Sequence, residues 1–270
     1  GVLVEAKGVS LSKSALLALS DRGIPVILMD RNHQPSAAVN SFFAHSEASK
    51  LLELQVCAKL PLKKNIWRDI ITAKIRNQDY LLRTVRGDSP LRAYVTRVKS
   101  GDSDNREGVA ARLYWSRLFL EGFKRDPNED GLNGILNFGY TILRSAFAKE
   151  IALHGLHPGL GVHHRQAKKA FRLVDDLMEP FRPIIDYTAW LLSEKGLTCV
   201  TADSRRAVLR AIYEPFFNAQ PFGRSVSSAI RMTVRSYAGK MRNPPSEFVP
   251  FPSDLLECFL EKGSAGDLVS

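Results

Sequence analysis

The sequence predicts a mainly α protein, with a large helical domain over residues 37–270 preceded by the remnant of a small β-rich N-terminal domain over residues 1–36. Three observations carry that expectation. Residues 1–30 read as strand, helix, strand; from about residue 39 apolar side chains recur at three- and four-residue steps almost to the end; and the breaks fall at Pro, Gly and helix-capping residues.

The elements follow in order. "VLVEA" is strand-like, "SLSKSALLALSDRG" is helical and closed by Gly23, and "IPVILMD" is a second strand opened by Pro25. Asp30 then leads into the turn-like "RNHQP". So small a sheet cannot bury both faces, so further strands are expected ahead of Gly1, where the chain opens without an initiator Met. "SFFAHSEASKLLELQVCAKL" has helical spacing, and Pro61 restarts the chain. "NIWRDIITAKIRNQDYLLRTV" sets Ile66, Asp69, Ile70, Ala73 and Asn77 at helical steps, and "SDNREGVAARLYWSRLFL" opens on capping residues. "GLNGILNFGYTILRSAFAKEIALHG" is apolar around its middle, which predicts a buried central helix. Pro180 and Pro183 divide "FRLVDDLMEPF" from "PIIDYTAWLLSEKG", predicting a kink or two short helices. A basic stripe, Arg224, Arg231, Arg235, Lys240 and Arg242, precedes the Pro-rich "NPPSEFVPFP".

Composition narrows the class. Against 28 acidic residues stand 38 Lys and Arg, a net charge of +10 that suits a polyanionic partner because neutralised phosphates release counterions; a basic protein with no such partner is the plain alternative. Cys57, Cys199 and Cys258 are sparse, odd in number and far apart, which disfavours a disulfide framework or a thiolate zinc site and fits a reducing cytoplasm. No stretch approaches the ~18 apolar residues of a membrane span, so no membrane partner is expected.

Four of the six histidines fall in "HGLHPGLGVHH", residues 154–164. A zinc cluster is the obvious reading and a poor one. His154 ends the central helix as a cap and His157 sits in a Gly/Pro turn, so the two do not share a helical face. His163 and His164 are adjacent and point to opposite sides if extended, so at most one faces a given site. Among the acids, Glu107 stands in the first turn of its helix, where a capping carboxylate is the ordinary role. Asp175 and Asp176 lie four and three residues before Glu179, close enough to share a face, and Arg172 or Arg182 would neutralise them as plain salt bridges. Two acids from different helices with one imidazole would instead make a mixed oxygen and nitrogen site suited to Mg²⁺ or Mn²⁺ and to phosphodiester chemistry.

"NREGVAARLYW", "NFGYTILRSAFAKEIALHG", "GLGVHH" and "DDLMEPFRPIID" occur together in the order of the CRISPR-associated spacer-acquisition integrases, the Cas1 family. The chain resembles that family from "VLVEA" to "RSVSSAIRMTVRSY", and "HH…DLMEPFRPIID" is most similar to members from type II systems. The resemblance implies metal ligands at Glu107 of the N-R-E-G motif, at His164 of Gly161-Val162-His163-His164, and at Glu179, which closes an acid-x-x-acid pair with Asp176 as an auxiliary acid. His163 is the alternative, one position away. Asn137 and Tyr140 match the family's N-x-x-Y and are read as hydrogen-bonding support behind the site.

The implied activity is DNA integration: a 3′-OH of a short foreign duplex attacks a phosphodiester of the CRISPR repeat, with Mg²⁺ or Mn²⁺ as cofactor. The implied assembly is a homodimer that joins the small Cas2 protein in a heterohexamer on double-stranded DNA. Arg165, Lys168 and Lys169, which follow His164, are candidate phosphate contacts, and Lys59, Lys63, Lys64 and Arg68 form a second basic run around Trp67, itself read as a core residue. Two rivals stay open. One is a metal-dependent endonuclease using water as nucleophile; the other is a non-catalytic DNA-binding scaffold in which Glu107 only caps its helix.

Overall fold

A computed structural model of the chain describes residues 2–4, 6, 8–22, 24, 26–30, 35–39, 47–119, 122–164, 170–215 and 225–264. It is mainly α, as the periodicity requires. The order is β1 (Val2–Val4), α1 (Lys13–Asp21), β2 (Val26–Met29), β3 (Pro35–Val39), α2 (Ala48–Cys57), α3 (Leu60–Arg86), α4 (Arg92–Val95), α5 (Arg106–Leu118), α6 (Leu132–Leu153), α7 (Arg172–Leu177), α8 (Arg182–Glu194), α9 (Ala202–Tyr213), α10 (Val226–Arg242) and α11 (Leu255–Ser264). Single 3-10 turns span Ser100–Asp102 and Glu179–Phe181.

The sheet runs β1-β2-β3, with β1 parallel to β2 and β3 antiparallel to it, Val26 facing Val39. β3 corrects the sequence reading, which expected helix soon after a turn at residues 31–35. Pro35–Val39 is short and small-residued, without an alternating pattern, and becomes a strand only because β2 offers its edge. It also carries strand structure past residue 36, where the helical domain was expected to have begun. Met29 meets this helical part directly, its sulfur accepting from the Ser145 hydroxyl of α6 at 3.7 Å.

α6 is the central helix, packed against α8, α9 and α10 and buried on nearly every side. Gly139 lets α8 approach: a Cβ there would lie 2.3 Å from Ile185 Cγ2. α3 crosses α5, α8 and the Glu179–Phe181 turn, burying Ile66, Trp67, Ile70, Ile71, Ile75 and Leu81 on one face. Pro61 sits in its first turn, where no N–H is needed, and Gly87 ends it in the left-handed conformation. Among the described residues no helix is long and apolar enough to cross a membrane, and Cys57, Cys199 and Cys258 form no disulfide.

Candidate active site

The N-R-E-G motif is a helix start in which each residue has separate work. Asn105 adopts a left-handed backbone (φ 49°), which Asn tolerates better than most residues, and its side chain accepts from Gly108 N at 3.2 Å. Gly108 makes room for that cap, since a Cβ would stand 2.8 Å from Asn105 Oδ1. The Asp102 carboxylate accepts from Arg106 N at 2.9 Å and Glu107 N at 3.1 Å. Asn105 and Asp102 therefore cap α5 between them, and Glu107 is left to reach across to α3. Its Oε1 accepts from Lys74 Nζ at 2.6 Å.

Lys74 is the residue that sequence reasoning missed. It lies two helical turns after Trp67 on the inward face of α3, with a side chain only 8% exposed. The same Nζ lies 2.6 Å from Glu179 Oε2, a second ion pair. A signal was available, for a lysine in register with Ile66, Ile70 and Trp67 is a charge on an apolar stripe. Three residues on, Asn77 donates from Nδ2 to Pro180 O at 2.7 Å and ties the 3-10 turn that carries Glu179 to α3.

Burial acts to lower the Lys74 pKa, but Glu179 and Glu107 outweigh it and hold the ammonium above its ordinary value. Glu179 shows the converse. Burial would raise its pKa, and the Arg182 and Lys74 cations bring it below the usual glutamate range. Arg182 reaches Glu179 Oε1 at 3.1 Å and lies over the Tyr140 ring at 4.8 Å. Arg182 is thus the salt-bridge partner the sequence had offered for the acids, whereas Asp175 pairs with Arg144 at 2.5 Å rather than with Arg172.

The loop before α7 positions the histidines. Asp176, fully buried, accepts through Oδ2 from Val162 N (2.6 Å) and His163 N (2.9 Å), and through Oδ1 from His164 N (3.3 Å) and His164 Nδ1 (2.5 Å). An ionised carboxylate only accepts, so the proton belongs on Nδ1 and Nε2 is the nitrogen that would ligate. Gly161 permits this folding-back, as a Cβ would fall 2.8 Å from Arg172 Cβ and 2.9 Å from Asp176 Oδ2. His163 goes elsewhere, stacking on the buried Trp67 ring at 4.3 Å with planes 4° apart, while the His164 ring stands at 84° to it. His154 caps α6, its Nδ1 on Glu150 O at 2.8 Å, and His157 lies in the loop as the turn residues required.

Behind Arg182, Asp186 accepts from both Tyr140 and Tyr114, the latter at 2.8 Å. Burial pushes the Asp186 carboxyl up to about 6 despite those hydrogen bonds. Asn137 serves a different segment: its Oδ1 accepts from Arg125 at 2.7 Å and its amide donates to Pro127 O at 2.9 Å. Two adjoining clefts of 340 and 420 Å³ share Leu60, Lys63 and Val162, the first adding Lys64 and His163, the second His164 and Arg172. Arg165, Lys168 and Lys169 lie outside the described residues.

As placed, no three His, Cys, Asp or Glu side chains among the described residues stand close enough to hold an ion, and Lys74 contacts two of the acids. The donor set nonetheless suits a hard divalent cation. Two carboxylates from separate elements already converge on one positive centre, and the His164 imidazole beside them has its Nδ1 held by a buried acid.

Comparison with known proteins adds an independent observation. The sequence profile described as CRISPR associated protein Cas1 matches residues 1–203. The CRISPR-associated endonuclease Cas1 of Neisseria meningitidis is 35% identical over 198 residues, covering 72% of this chain and 65% of the relative, so the match spans just under two thirds of that protein. A Cas6-RT-Cas1–Cas2 complex chain superposes with a TM-score of 0.69 at 23% identity, over 90% of this chain and 31% of that one. A casposase bound to its integration product gives 0.65 at 20% identity, over 92% and 84%. At these identities the structural likeness shows the fold alone.

Proposed function

The chain belongs to the Cas1 family of CRISPR-associated proteins, and from that premise we propose that it is a metal-dependent DNA integrase that inserts short foreign duplexes into a CRISPR array. The observation that carries the proposal is the convergence of Glu107 and Glu179 on one positive centre beside an imidazole held by Asp176. A casposase of the same fold is described with its integration product, and another fold relative is described in a complex with Cas2. Double-stranded DNA, a homodimer and a Cas2 partner in a heterohexamer are accordingly proposed here.

Glu107, His164 and Glu179 would hold Mg²⁺ or Mn²⁺. When bound, the ion supplies charge stabilisation for the phosphorane and the departing 3′-oxygen. In the transesterification a 3′-OH gives up its proton as its oxygen bonds to phosphorus, the repeat's P–O3′ bond breaks, and the released 3′-oxygen takes up a proton, so protons as well as phosphodiester bonds balance. The count of phosphodiester bonds is unchanged, so no ATP is needed. Asp176 keeps the His164 imidazole in one tautomer, and Arg182, backed by Tyr140 and Asp186, orients Glu179. Lys63, Lys64 and Arg172, together with Arg165, Lys168 and Lys169, supply cations for the DNA phosphates.

Endonuclease action is the second reading, favoured by the relative's description as an endonuclease; water would take the place of the 3′-OH at the same residues. A strand-transfer assay separates the two. A labelled duplex with free 3′-OH ends is incubated with a supercoiled plasmid carrying a CRISPR repeat, the Cas2 partner and Mn²⁺ or Mg²⁺. Label joined to plasmid, lost with chelator, Glu107→Gln or His164→Ala and kept with His163→Ala, is the expected result. Shortened strands without joining would favour the nuclease, and joining lost with His163→Ala alone would move the ligand by one residue.

A further inference from the structure

A buried ammonium at the centre of a proposed metal site is out of place as a simple structural charge. Lys74 reaches there along the apolar face of α3, is 8% exposed, and lies 2.6 Å from Glu107 Oε1 and 2.6 Å from Glu179 Oε2. The two acids come from different elements, one at the start of α5 and one in the 3-10 turn that Asn77 ties to α3. Like charges brought so near repel unless a cation lies between them, so Lys74 holds the pair together. Arg182 already supplies a second positive charge to Glu179 Oε1 at 3.1 Å. Lys74 and Arg182 thus set two positive charges against the two carboxylates of Glu107 and Glu179.

A divalent ion entering between these carboxylates would meet both the ammonium and the guanidinium. Arg182 is hemmed in by Tyr140 and Glu179, while Lys74 ends a flexible four-carbon stem. Lys74 is the group able to leave. Glu107 and His164, 28% and 30% exposed, form the open side of the site through which an ion would exchange with it.

We infer that Lys74 is an internal counter-cation for the ligand pair: it occupies the position of the divalent ion in the metal-free chain, preserves the spacing of Glu107 and Glu179, and is displaced when the ion binds. This rests on the metal-site reading above and adds to it a positioning residue that sets the threshold for loading. Each ion bound must displace one ammonium, so the wild-type chain binds divalent cations more weakly than its carboxylates alone would.

The test uses the full chain and Mn²⁺ alone, with free Mn²⁺ read by electron paramagnetic resonance for wild type, Lys74→Met and Lys74→Gln. Removing one positive charge from the ligand pair should tighten Mn²⁺ binding by roughly tenfold or more, as ligand charge count governs hard-cation affinity. A lysine with only a structural role would give the opposite, since its loss would loosen the site. Thermal unfolding should show Lys74→Met less stable than wild type without metal and largely restored by saturating Mn²⁺. Saturable binding to all three proteins, equal or weaker in the variants, overturns this inference alone. Absence of binding to any of them overturns the ligand assignment and the inference with it.

A wild-type measurement keeps the test open should the variants not fold. Acetylation of lysines by an amine-reactive ester, mapped by peptide mass spectrometry, should leave Lys74 protected without metal and labelled at saturating Mn²⁺. Protection that is unchanged while Mn²⁺ is bound would show that Lys74 stays in place and would overturn the exchange.

Discussion

The Asp176 carboxylate accepts a hydrogen bond from His164 Nδ1 at 2.5 Å with one oxygen while its other oxygen accepts from the backbone N–H groups of Val162 and His163. One buried acid thus sets the shape of the loop and the orientation of the ring that the loop presents. The two roles separate on substitution. Asp176→Asn retains one accepting oxygen but offers an NH₂ where the second acceptor was, so the ring loses its fixed tautomer. Strand joining should fall by about 10- to 100-fold, the usual cost of removing the acid behind a ligating histidine. Circular dichroism and thermal unfolding should show the variant folded, and unimpaired joining would refute the role assigned to Asp176.

Capping at the start of α5 is assigned to Asn105 and Asp102, not to Glu107. Asn105→Ala and Asp102→Ala should each lower stability by about 1 kcal/mol, the ordinary cost of a lost cap. Denaturant unfolding measures this. If neither substitution matters, Glu107 has been denied the capping role on false grounds and the scaffold reading regains ground.

Gly139 should tolerate no side chain. Gly139→Ala places a methyl 2.3 Å from Ile185 Cγ2, between two buried helices that cannot part without loosening the core. A loss of about 1–3 kcal/mol is expected, with coupling to Ile185→Ala in a double-mutant cycle, because the second change removes the colliding methyl.

Asp186 predicts a pH dependence of stability. Its folded-state pKa is raised to about 6 by burial, against the opposing hydrogen bonds from Tyr140 and Tyr114 and the charges of Arg182 and Arg125. Between roughly pH 4 and 6 the folded chain holds a proton that the unfolded chain has released. Its contribution is therefore present below about pH 4, declines as the pH rises, and is gone above about pH 6. Asp186→Asn, which cannot ionise, should gain on wild type by at most about 3 kcal/mol over that window. Urea unfolding of both proteins at several pH values reads the difference. A constant gap would mean that Asp186 is ionised in the folded chain throughout.

The amino-acid sequence by itself determined the helical class, the buried central helix, the break at Pro180 and Pro183, and four motifs in their family order. These properties are carried by local spacing: apolar periodicity marks the buried face, and Pro and Gly mark where a helix can no longer continue. The division of labour between His154, His157 and the adjacent pair was legible for the same reason, since their neighbours limit where each ring can point. What local spacing lacks is the identity of the partner a buried face will meet. Lys74 and Glu107 are 33 residues apart, and Asn77 and Pro180 are 103 apart. Nothing in either stretch names the other. β3 escaped notice because its residues become a strand only beside β2. Tertiary structure alone decided that Lys74 lies between two acids, that Asp176 rather than solvent receives His164, and that His163 rests on Trp67. Packing three separate segments against α3 creates those relationships, and the burial of the charges then dictates which of them must pair.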